Sequence, residues 1–399
     1  METASTRFGW YLAILQLFFN LCWTVYVIYL PALAATAGFS PRAVIFILLF
    51  DQAIFTMCDF ATGVVTDRVT RVLGKLGVYV VAATALSCAA FLVMPLFASL
   101  GAGVLMALII VWTVTSSALR APPLMLLGKY ARKPALPFLS ALAMLGYGIA
   151  GALGPYLTIT LRNVDPRLPF AAASIMLMLT TLGMIIAERK LAAEPPPASS
   201  APPVRSVGTM TKPAIVFALG MIALALGYQM HFVLDSAPLF LRFTKADQLQ
   251  WLMPVFWIGF NISMFPASLV TKKFGGYTVM GASALIGAIA IIAAHVAQDL
   301  GQMVAAQFLA GGAWGAILMS AFTMAFAIGE NGGEGRMTGL LFSALALAAF
   351  TRILTVATGF NTDPSLKAAL EWVPTVFWAI AGAALLYVSA AKVKKLIAR

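Results

Sequence analysis

Runs of about 20 apolar residues recur along the whole sequence, and they restrict the possible folds more than any other feature. At 1.5 Å per residue, a helix of this length crosses the hydrocarbon core of a bilayer. Of the 399 residues, 61% are hydrophobic and only 10% are charged, so the runs are not a single anchor on a soluble domain. We predict an all-α membrane protein with twelve transmembrane helices, near residues 10–31, 43–63, 76–97, 102–128, 137–161, 169–188, 213–237, 249–271, 277–297, 301–328, 338–360 and 371–391.

Lysine and arginine are divided unevenly between the segments that connect these helices. Most lie on the side of the N-terminus, and the opposite side holds Arg42, Arg162, Arg167, Arg242, Lys245 and Lys367. Because cytoplasmic segments are enriched in basic residues, both termini are predicted to be cytoplasmic. This bias explains most of the net charge of +12, so no nucleic-acid partner is expected. The richness in alanine and arginine favours the bacterial inner membrane.

The chain is predicted to consist of two halves joined by a linker. Residues 190–212, KLAAEPPPASSAPPVRSVGTMTK, are rich in Pro, Ser and Ala and lack an apolar period, which is typical of a linker. The predicted halves are therefore residues 1–189 and 213–399, with six helices each. A short basic turn follows the second helix of each half, TDRVTRVLGK in the first and TKKFGGY in the second, so the halves are expected to be distant copies.

The first of these turns carries a recognisable motif. Gly63, Asp67, Arg68 and Arg71 have the spacing G-x3-D-R-x2-R at the end of the second helix. The motif resembles the loop signature of the major facilitator superfamily, although Thr70 stands where that signature often has glycine. The resemblance implies two pseudo-symmetric six-helix bundles, a glycine that allows close helix approach, and an acid and bases that pair with each other and with a neighbouring helix end. These four residues are therefore expected to act in gating.

A longer version of the motif resembles one branch of that superfamily. The spacing D-x3-G-x3-D-R-x5-G-K, from Asp59 to Lys75, is similar to that of the glycoside-pentoside-hexuronide cation symporters, which include the melibiose permeases. Two positions depart from that branch, since Phe55 replaces a second acid and Arg120 replaces a sugar-contacting acid on the fourth helix. The sodium site that the resemblance would imply is incomplete, so a proton is the expected coupling ion.

Five ionisable residues lie inside the predicted helices, where each costs about 2.5–3.5 kcal/mol or more. They are Asp51, Asp59, Arg120, Asp235 and Arg352. The resemblance implies that the second and eleventh helices touch across the interface between the halves. An ion pair between Asp51 or Asp59 and Arg352 is therefore expected, and the two aspartates are the predicted ion-coupling residues, with Asp59 the first choice.

Arg120 has two interpretations that the sequence leaves open. Its planar guanidinium suits a carboxylate or a phosphate, and Pro122 and Pro123 are expected to kink the fourth helix beside it, which frees backbone carbonyl groups and opens a cavity wall. Arg120 therefore either binds the anionic part of a substrate or pairs structurally with an acid such as Asp51 or Asp59.

Other polar and aromatic residues are placed where the resemblance implies a central cleft, which helices 1, 4, 7 and 10 line in that fold. For each of them a hydrogen bond between helices is the alternative to a ligand contact, and His231 has the further alternative of a neutral packing residue. The predicted substrate-binding residues are Arg120, Asn20, Trp23, Tyr26, Tyr147, Tyr228, Gln229, His231, Gln307, Trp314 and Arg352.

These observations favour a secondary active transporter that works by alternating access, is coupled to protons and moves a small organic anion or an amphipathic anionic solute. A lipid or lysolipid flippase of the same fold, a sugar symporter and a drug/proton antiporter are the alternatives. The sequence contains no G-x4-G-K-[ST] motif and no recognisable nucleophile with a base or metal set, so neither an enzyme nor a cofactor is expected. The expected partners are a small-molecule substrate, a coupling ion and the bilayer around a monomer.

Overall fold

The computed structural model describes residues 4–72, 76–193, 212–330 and 332–397. Most of the predicted linker, together with Gly74 and Lys75, lies outside them. Among the described residues, twelve helices are long and apolar enough to span a membrane, which confirms the predicted number. They are α1 (Ala4–Thr36), α2 (Ala43–Val69), α3 (Leu76–Leu100), α4 (Ala102–Tyr130), α5 (Lys133–Thr160), α6 (Arg167–Leu191), α7 (Lys212–Phe240), α8 (Ala246–Phe274), α9 (Gly276–Val296), α10 (Leu300–Ile328), α11 (Glu334–Ala357) and α12 (Ser365–Ala391).

Helices α1–α6 and α7–α12 pack in corresponding ways. In the first half α1 packs on α5 and α3 packs on α6, and in the second half α7 packs on α11 and α9 packs on α12. The extensive contacts between the halves also correspond, because α2 packs on α11 and α8 packs on α5. Each of these helices therefore packs on the same neighbour as the helix six places later in the chain, once the neighbour is also shifted by six. This is the pseudo-symmetry that the two basic turns predict.

The approach of α2 to α11 is close because both helices have glycine at the contact. A Cβ added to Gly63 would clash with the carbonyl oxygen of Gly335, and one added to Gly339 would clash with the carbonyl oxygen of Asp59. The prediction that Gly63 allows close approach is confirmed. These two contacts also define the register, since the helices run in opposite directions with Asp59 beside Gly339.

Helix α4 is interrupted next to Arg120. Its first part, Ala102–Ser116, is followed by a 3-10 turn at Ser117–Leu119, and a second helical part begins at Ala121 with Pro122 and Pro123 in its first turn. Proline has no N–H to donate, so Pro123 leaves the carbonyl oxygen of Leu119 without its helical partner. The side-chain amide of Gln16 on α1 donates to that oxygen at 3.4 Å. The predicted kink and the freed carbonyl are both present.

Helix α7 contains a second irregularity, a π-helical stretch at Gln229–Asp235 between the α-helical parts Lys212–Tyr228 and Ser236–Phe240. The carbonyl oxygen of His231 accepts both from the backbone N–H of Ser236, five residues later, and from the hydroxyl of Ser236 at 3.1 Å. Such stretches are short and occur frequently at functional sites. This one contains several of the predicted cleft residues.

Candidate functional site

Arg120 and Asp59 form a buried ion pair within the first half of the chain. A guanidinium nitrogen of Arg120, on α4, lies 2.8 Å from a carboxylate oxygen of Asp59, on α2. The side chain of Asp59 is fully buried, and that of Arg120 is 14% exposed. Of the two interpretations of Arg120, this structure shows the pairing with Asp59. Asp59 also lies deeper than its position in the predicted span indicates, since α2 continues for ten residues to Val69.

Two phenylalanine rings cover the guanidinium of Arg120. Its central carbon lies 4.7 Å from the ring centroid of Phe55 and 4.9 Å from that of Phe342. Phe55 lies one helical turn before Asp59. Phe55, which stands where the melibiose permease branch has an acid, therefore contacts the same arginine as Asp59. Phe342 belongs to α11, and the second half of the chain therefore contributes one of the rings that cover a charge in the first half.

Asp51 has hydroxyl partners instead of a basic one. The phenol of Tyr26 on α1 donates to one carboxylate oxygen at 2.6 Å, and the hydroxyl of Thr113 on α4 donates to the other at 3.2 Å. Asp51 and Tyr26 are both fully buried. In the described part of the chain, no lysine or arginine forms an ion pair with Asp51. Tyr26, a predicted substrate residue, is thus a partner of a predicted coupling residue.

Arg352 does not meet either aspartate, and the predicted ion pair with Asp51 or Asp59 is wrong. Its Nε atom donates to the side-chain oxygen of Gln229 on α7 at 3.0 Å, and the side chain is half-buried. For Asp59 the register of α2 and α11 explains the error, because residue numbers in contact add up to 398 and Arg352 is level with residue 46. That position is thirteen residues from Asp59, which corresponds to about 20 Å along the helix.

The charge of Arg352 is not balanced by an ion pair. Among the described residues the ion pairs join Arg120 with Asp59 and Lys133 with Glu330. A buried guanidinium without a carboxylate is costly, and such groups in transmembrane helices commonly mark the path of a ligand. Arg352 is the strongest candidate for an anion-binding group in this half.

Next to Gln229, the partner of Arg352 on α7, Tyr228 belongs to a cluster of aromatic residues. Tyr228 stacks on Trp314 of α10, with ring centroids 4.5 Å apart and an angle of 3° between the planes. Tyr147 of α5 packs edge-on against Trp257 of α8 at 5.3 Å. Tyr147 belongs to the first half and the other three residues to the second, so this cluster also bridges the halves. Three predicted cleft residues, Tyr147, Tyr228 and Trp314, therefore come together.

His231 is held in a buried network. Its Nε2 atom lies 3.2 Å from the amide nitrogen of Gln307, and the oxygen of that amide accepts from Ser236 at 3.2 Å. His231 is 1% exposed and Gln307 is fully buried. Both predicted residues therefore have a role in packing α7 against α10, which favours the alternative interpretation of His231 as a packing residue.

Asn20 and Trp23, predicted substrate residues of α1, contact α1 itself and other helices of the first half. The side-chain amide of Asn20 donates to the carbonyl oxygen of Gln16 at 2.7 Å. The ring of Trp23 lies 5.8 Å from that of Phe55 and 6.0 Å from that of Trp112. Trp23 is partly accessible, and through Phe55 it is connected to the ion pair of Asp59.

Contacts close the end of the bundle that carries Asp67, Lys133 and Glu330, which we call the basic end. The carboxylate of Asp67 accepts from the backbone N–H groups of Gly335 and Arg336, at 2.7 and 2.8 Å, and so binds the first turn of α11 in the other half. Lys133 forms an ion pair with Glu330. Arg68 is exposed, and the side chain of Arg71 lies outside the described residues. The prediction that the acid of the motif binds a neighbouring helix end is confirmed.

Five residues around the buried charges and in the aromatic cluster were not predicted from the sequence: Phe55, Trp112, Thr113, Trp257 and Phe342. Phe55 had a usable signal, because residues four apart on a helix share a face and Asp59 follows at that spacing. The other four had none, since aromatic and hydroxyl side chains are common in transmembrane helices and their partners are distant in sequence.

No protein-family profile matches the sequence, and no curated protein sequence is significantly similar to it. Solved structures are similar, however. The human organic anion transporter MFSD10 matches with a TM-score of 0.71 and 13% identity over 96% of this chain and 100% of that chain. The Escherichia coli fucose:proton symporter matches with a TM-score of 0.69 and 11% identity over 96% and 99%. A bacterial homologue of the iron transporter ferroportin, in an outward-facing state, matches with a TM-score of 0.73 and 12% identity over 98% and 100%.

The chain has the major facilitator fold. The matches cover nearly the full length of both chains, so the fold includes all twelve helices. At 13% identity or less, the comparisons establish the major facilitator fold and not the substrate. The resemblance to the melibiose permease branch stays a prediction.

Proposed function

We propose that this protein is a secondary active transporter that moves a small organic anion together with protons by alternating access. The major facilitator fold is shared with the three transporters, of which one is described as an organic anion transporter and another as a proton symporter. The observation that carries the choice of an anion is Arg352, a half-buried charge in α11 that has Gln229 as its partner and no acidic partner among the described residues.

Arg352 is suited to hold an anion. Guanidinium is permanently charged and presents several N–H donors in a fixed plane, of which the structure uses Nε for Gln229. A substrate carboxylate that accepts hydrogen bonds from the remaining N–H groups of Arg352 would also balance the charge of the guanidinium. The rings of Tyr228 and Trp314 are buried against each other in this structure, and their exposure during alternating access would provide an apolar surface for the rest of the solute.

Asp59 and Arg120 provide a way to couple protons to this movement. The two belong to α2 and α4 of the same half, so a rocking motion of rigid halves would not separate them. When Asp59 takes up a proton, however, Arg120 loses its counterion, so the first half gains a buried positive charge that favours the presence of an anion at Arg352 in the second half. Proton and anion then bind together, because each stabilises the state that the other needs.

Phe342 connects this pair to the conformation of the protein. Its ring lies over Arg120 but is carried by α11, so movement of the second half would uncover the guanidinium. Cation–π contacts contribute about 0.5–2 kcal/mol, depending on how far the cation is desolvated. Alternating access would thereby change the environment of the ion pair without breaking it.

The basic end acts as a gate in this proposal. Opening that end requires Asp67 to leave the first turn of α11 and Lys133 to leave Glu330. Neither contact involves Arg120 or Arg352, so gating and substrate binding are assigned to separate residues. If the basic end is cytoplasmic, as the distribution of lysine and arginine predicts, these contacts close the cytoplasmic side.

Uptake into proteoliposomes tests the proposal. The parent protein is reconstituted and radiolabelled benzoate, lactate and succinate are offered with and without an inward proton gradient. At least one anion should accumulate only with the gradient. Arg352→Gln should lower uptake at least about tenfold, since losing a charge-assisted hydrogen bond costs about 1.5–3 kcal/mol. Arg162→Gln, which removes an exposed arginine away from the cluster, is the matched control and should transport like the parent.

The role of Asp59 is tested in the same vesicles. Asp59→Asn should lose accumulation driven by the gradient but keep exchange of labelled for unlabelled anion, which needs no net proton movement. Parent-like uptake by both Arg352→Gln and Arg120→Gln would overturn the anion site. If a labelled lysophospholipid crosses the membrane while no anion does, the flippase alternative replaces the proposal.

A further inference from the structure

A cavity lies within the second half of the chain, at the end opposite to the basic end. Its volume is about 560 Å³, and its walls come from the end of α7, the end of α9, the connection between α11 and α12, and the first turns of α12. Polar lining residues are Asp235, Arg242, His295, Asn361, Lys367 and Glu371. None of them takes part in the proposed anion site. Because all lining residues belong to α7–α12, the cavity does not lie between the halves.

Three of the lining residues have an unpartnered acceptor. Asp235 Oδ2, His295 Nε2 and Asn361 Oδ1 are buried and have no hydrogen-bond partner among the described residues. The tautomer of His295 follows from its other nitrogen, because Nδ1 lies 2.9 Å from the carbonyl oxygen of Ile291 and must donate to it. Nε2 of the neutral ring is then an acceptor. Each unsatisfied buried acceptor costs about 1–3 kcal/mol, so the cavity favours a ligand with several donors.

The basic residues of the cavity do not supply these donors. Arg242 donates to the carbonyl oxygens of His295 and Ala297, at 2.8 and 3.1 Å, and so caps the end of α9. Lys367 precedes Glu371 by one turn of α12, a spacing at which opposite charges stabilise each other. Two guanidinium nitrogens of Arg242 are thus used by carbonyl oxygens, and no described lysine or arginine forms an ion pair with Asp235, whose carboxylate is left with an unpartnered oxygen.

We propose that this cavity binds a primary ammonium group. An R–NH₃⁺ group has three N–H donors, one for each of the three unpartnered acceptors, and its positive charge is attracted by Asp235 and Glu371. His295 stacks on Trp372 with ring centroids 5.5 Å apart, which holds the imidazole plane in place. A quaternary ammonium has the same charge but no N–H, so it leaves the acceptors unsatisfied.

Two sources can provide this group: a soluble amine, or the headgroup of an aminophospholipid. The cavity lies at the ends of transmembrane helices, the level at which lipid headgroups are found. Phosphatidylethanolamine carries a primary ammonium, while phosphatidylcholine carries a quaternary one. Phosphatidylethanolamine therefore corresponds to a soluble primary amine, and phosphatidylcholine to a soluble quaternary amine.

Calorimetry on the purified full chain tests the proposal. The protein is placed in phosphatidylcholine nanodiscs and titrated with propylammonium, and with tetramethylammonium as the probe without N–H donors. Propylammonium should bind, and tetramethylammonium should bind at least about tenfold more weakly. Asp235→Asn should weaken propylammonium binding at least about tenfold, whereas Asp247→Asn, an exposed acid outside the cavity, should leave it unchanged.

Several results would overturn the site. They are no propylammonium binding by the parent protein, equal binding of the two amines, and equal binding by Asp235→Asn and the parent. If Asp235→Asn does not fold, Glu371→Gln is the substitute and should weaken binding by a smaller factor. Replacing phosphatidylcholine with phosphatidylethanolamine distinguishes the sources. A fall in apparent affinity for propylammonium identifies the lipid headgroup as a competing occupant, and an unchanged affinity assigns the site to soluble amines.

The ammonium site is independent of the proposed transport function. Arg352→Gln should abolish anion uptake and leave propylammonium binding unchanged, because Arg352 does not line the cavity. Failure of one proposal therefore leaves the other standing.

Discussion

The two halves of the molecule treat their buried charges differently. In the first half, Arg120 has an ionic partner in Asp59 at 2.8 Å and Asp51 has two hydroxyl donors. In the second half, Arg352 has the neutral side chain of Gln229 as its partner. The folds of the halves correspond helix by helix, so the difference belongs to the side chains and not to the architecture.

This difference indicates a division of labour. A charge that has an ionic partner inside the protein stabilises the conformation in which the two meet. That stabilisation is lost when a proton or a competing anion takes the place of one partner. A charge without an acid can be satisfied by a ligand in every cycle. Coupling is therefore expected in the first half and anion binding in the second, and the following substitutions test whether the halves differ in this way.

The largest effect is expected where the ion pair is broken. Asp59→Ala leaves Arg120 buried without a counterion and should lower the free energy of unfolding by about 3–5 kcal/mol. The double variant Asp59→Ala with Arg120→Met removes both charges and should regain most of that loss. Thermal unfolding in detergent, followed by tryptophan fluorescence, measures both. A double variant as unstable as the sum of the single ones would mean that the pair is not a coupled unit.

A smaller loss is expected at Asp51, where hydroxyl groups replace the arginine. Tyr26→Phe removes the 2.6 Å hydrogen bond and leaves a carboxylate with one donor, which should cost about 1.5–3 kcal/mol. Tyr387→Phe, at a side chain that is 77% exposed, is the matched control and should change the unfolding temperature little. Equal effects of the two substitutions would show that the bond to Asp51 does not contribute.

At the basic end a carboxylate of the first half contacts backbone N–H groups of the second, and its effect should appear mainly in conformation. Asp67→Asn weakens the cap on α11 by about 0.5–2 kcal/mol, so the basic end should open more often. Distances between spin labels at residues 132 and 272 report that opening. Uptake should be slower while anion affinity changes less than about twofold. Asp165→Asn at the opposite end is the control, and a large loss of affinity with unchanged distances would contradict the gating role.

The smallest effect on stability is expected at Arg352, although its effect on transport should be large. Arg352→Gln removes a charge that has no acidic partner, so the free energy of unfolding should stay the same or rise by up to about 1 kcal/mol. Arg120→Gln, by contrast, should destabilise the protein strongly, since it strands Asp59. If Arg352→Gln costs as much as Arg120→Gln, the two halves do not differ in the way proposed.

Much of the fold could be predicted because its causes are local in the sequence. The twelve spans follow from apolar runs of sufficient length, and the break in α4 follows from Pro122 and Pro123, which lack the N–H that a helix needs. Gly63 and Asp67 were predicted from their spacing, and the structure places both at contacts with α11. The candidate site was predicted less well, since the ion pair expected between Arg352 and Asp51 or Asp59 is wrong and Asp59 pairs with Arg120.

The sequence by itself determined that the chain spans a membrane twelve times, that five ionisable residues of both signs lie inside the spans, and where α2 must approach another helix closely. Only the tertiary structure decided which charges meet. The register of α2 against α11 keeps Arg352 away from Asp59, and the packing of α4 beside α2 brings Arg120 to it instead. Composition and spacing act along one helix, whereas an ion pair depends on the axial alignment of two helices, and that alignment is determined by all the side chains packed between them.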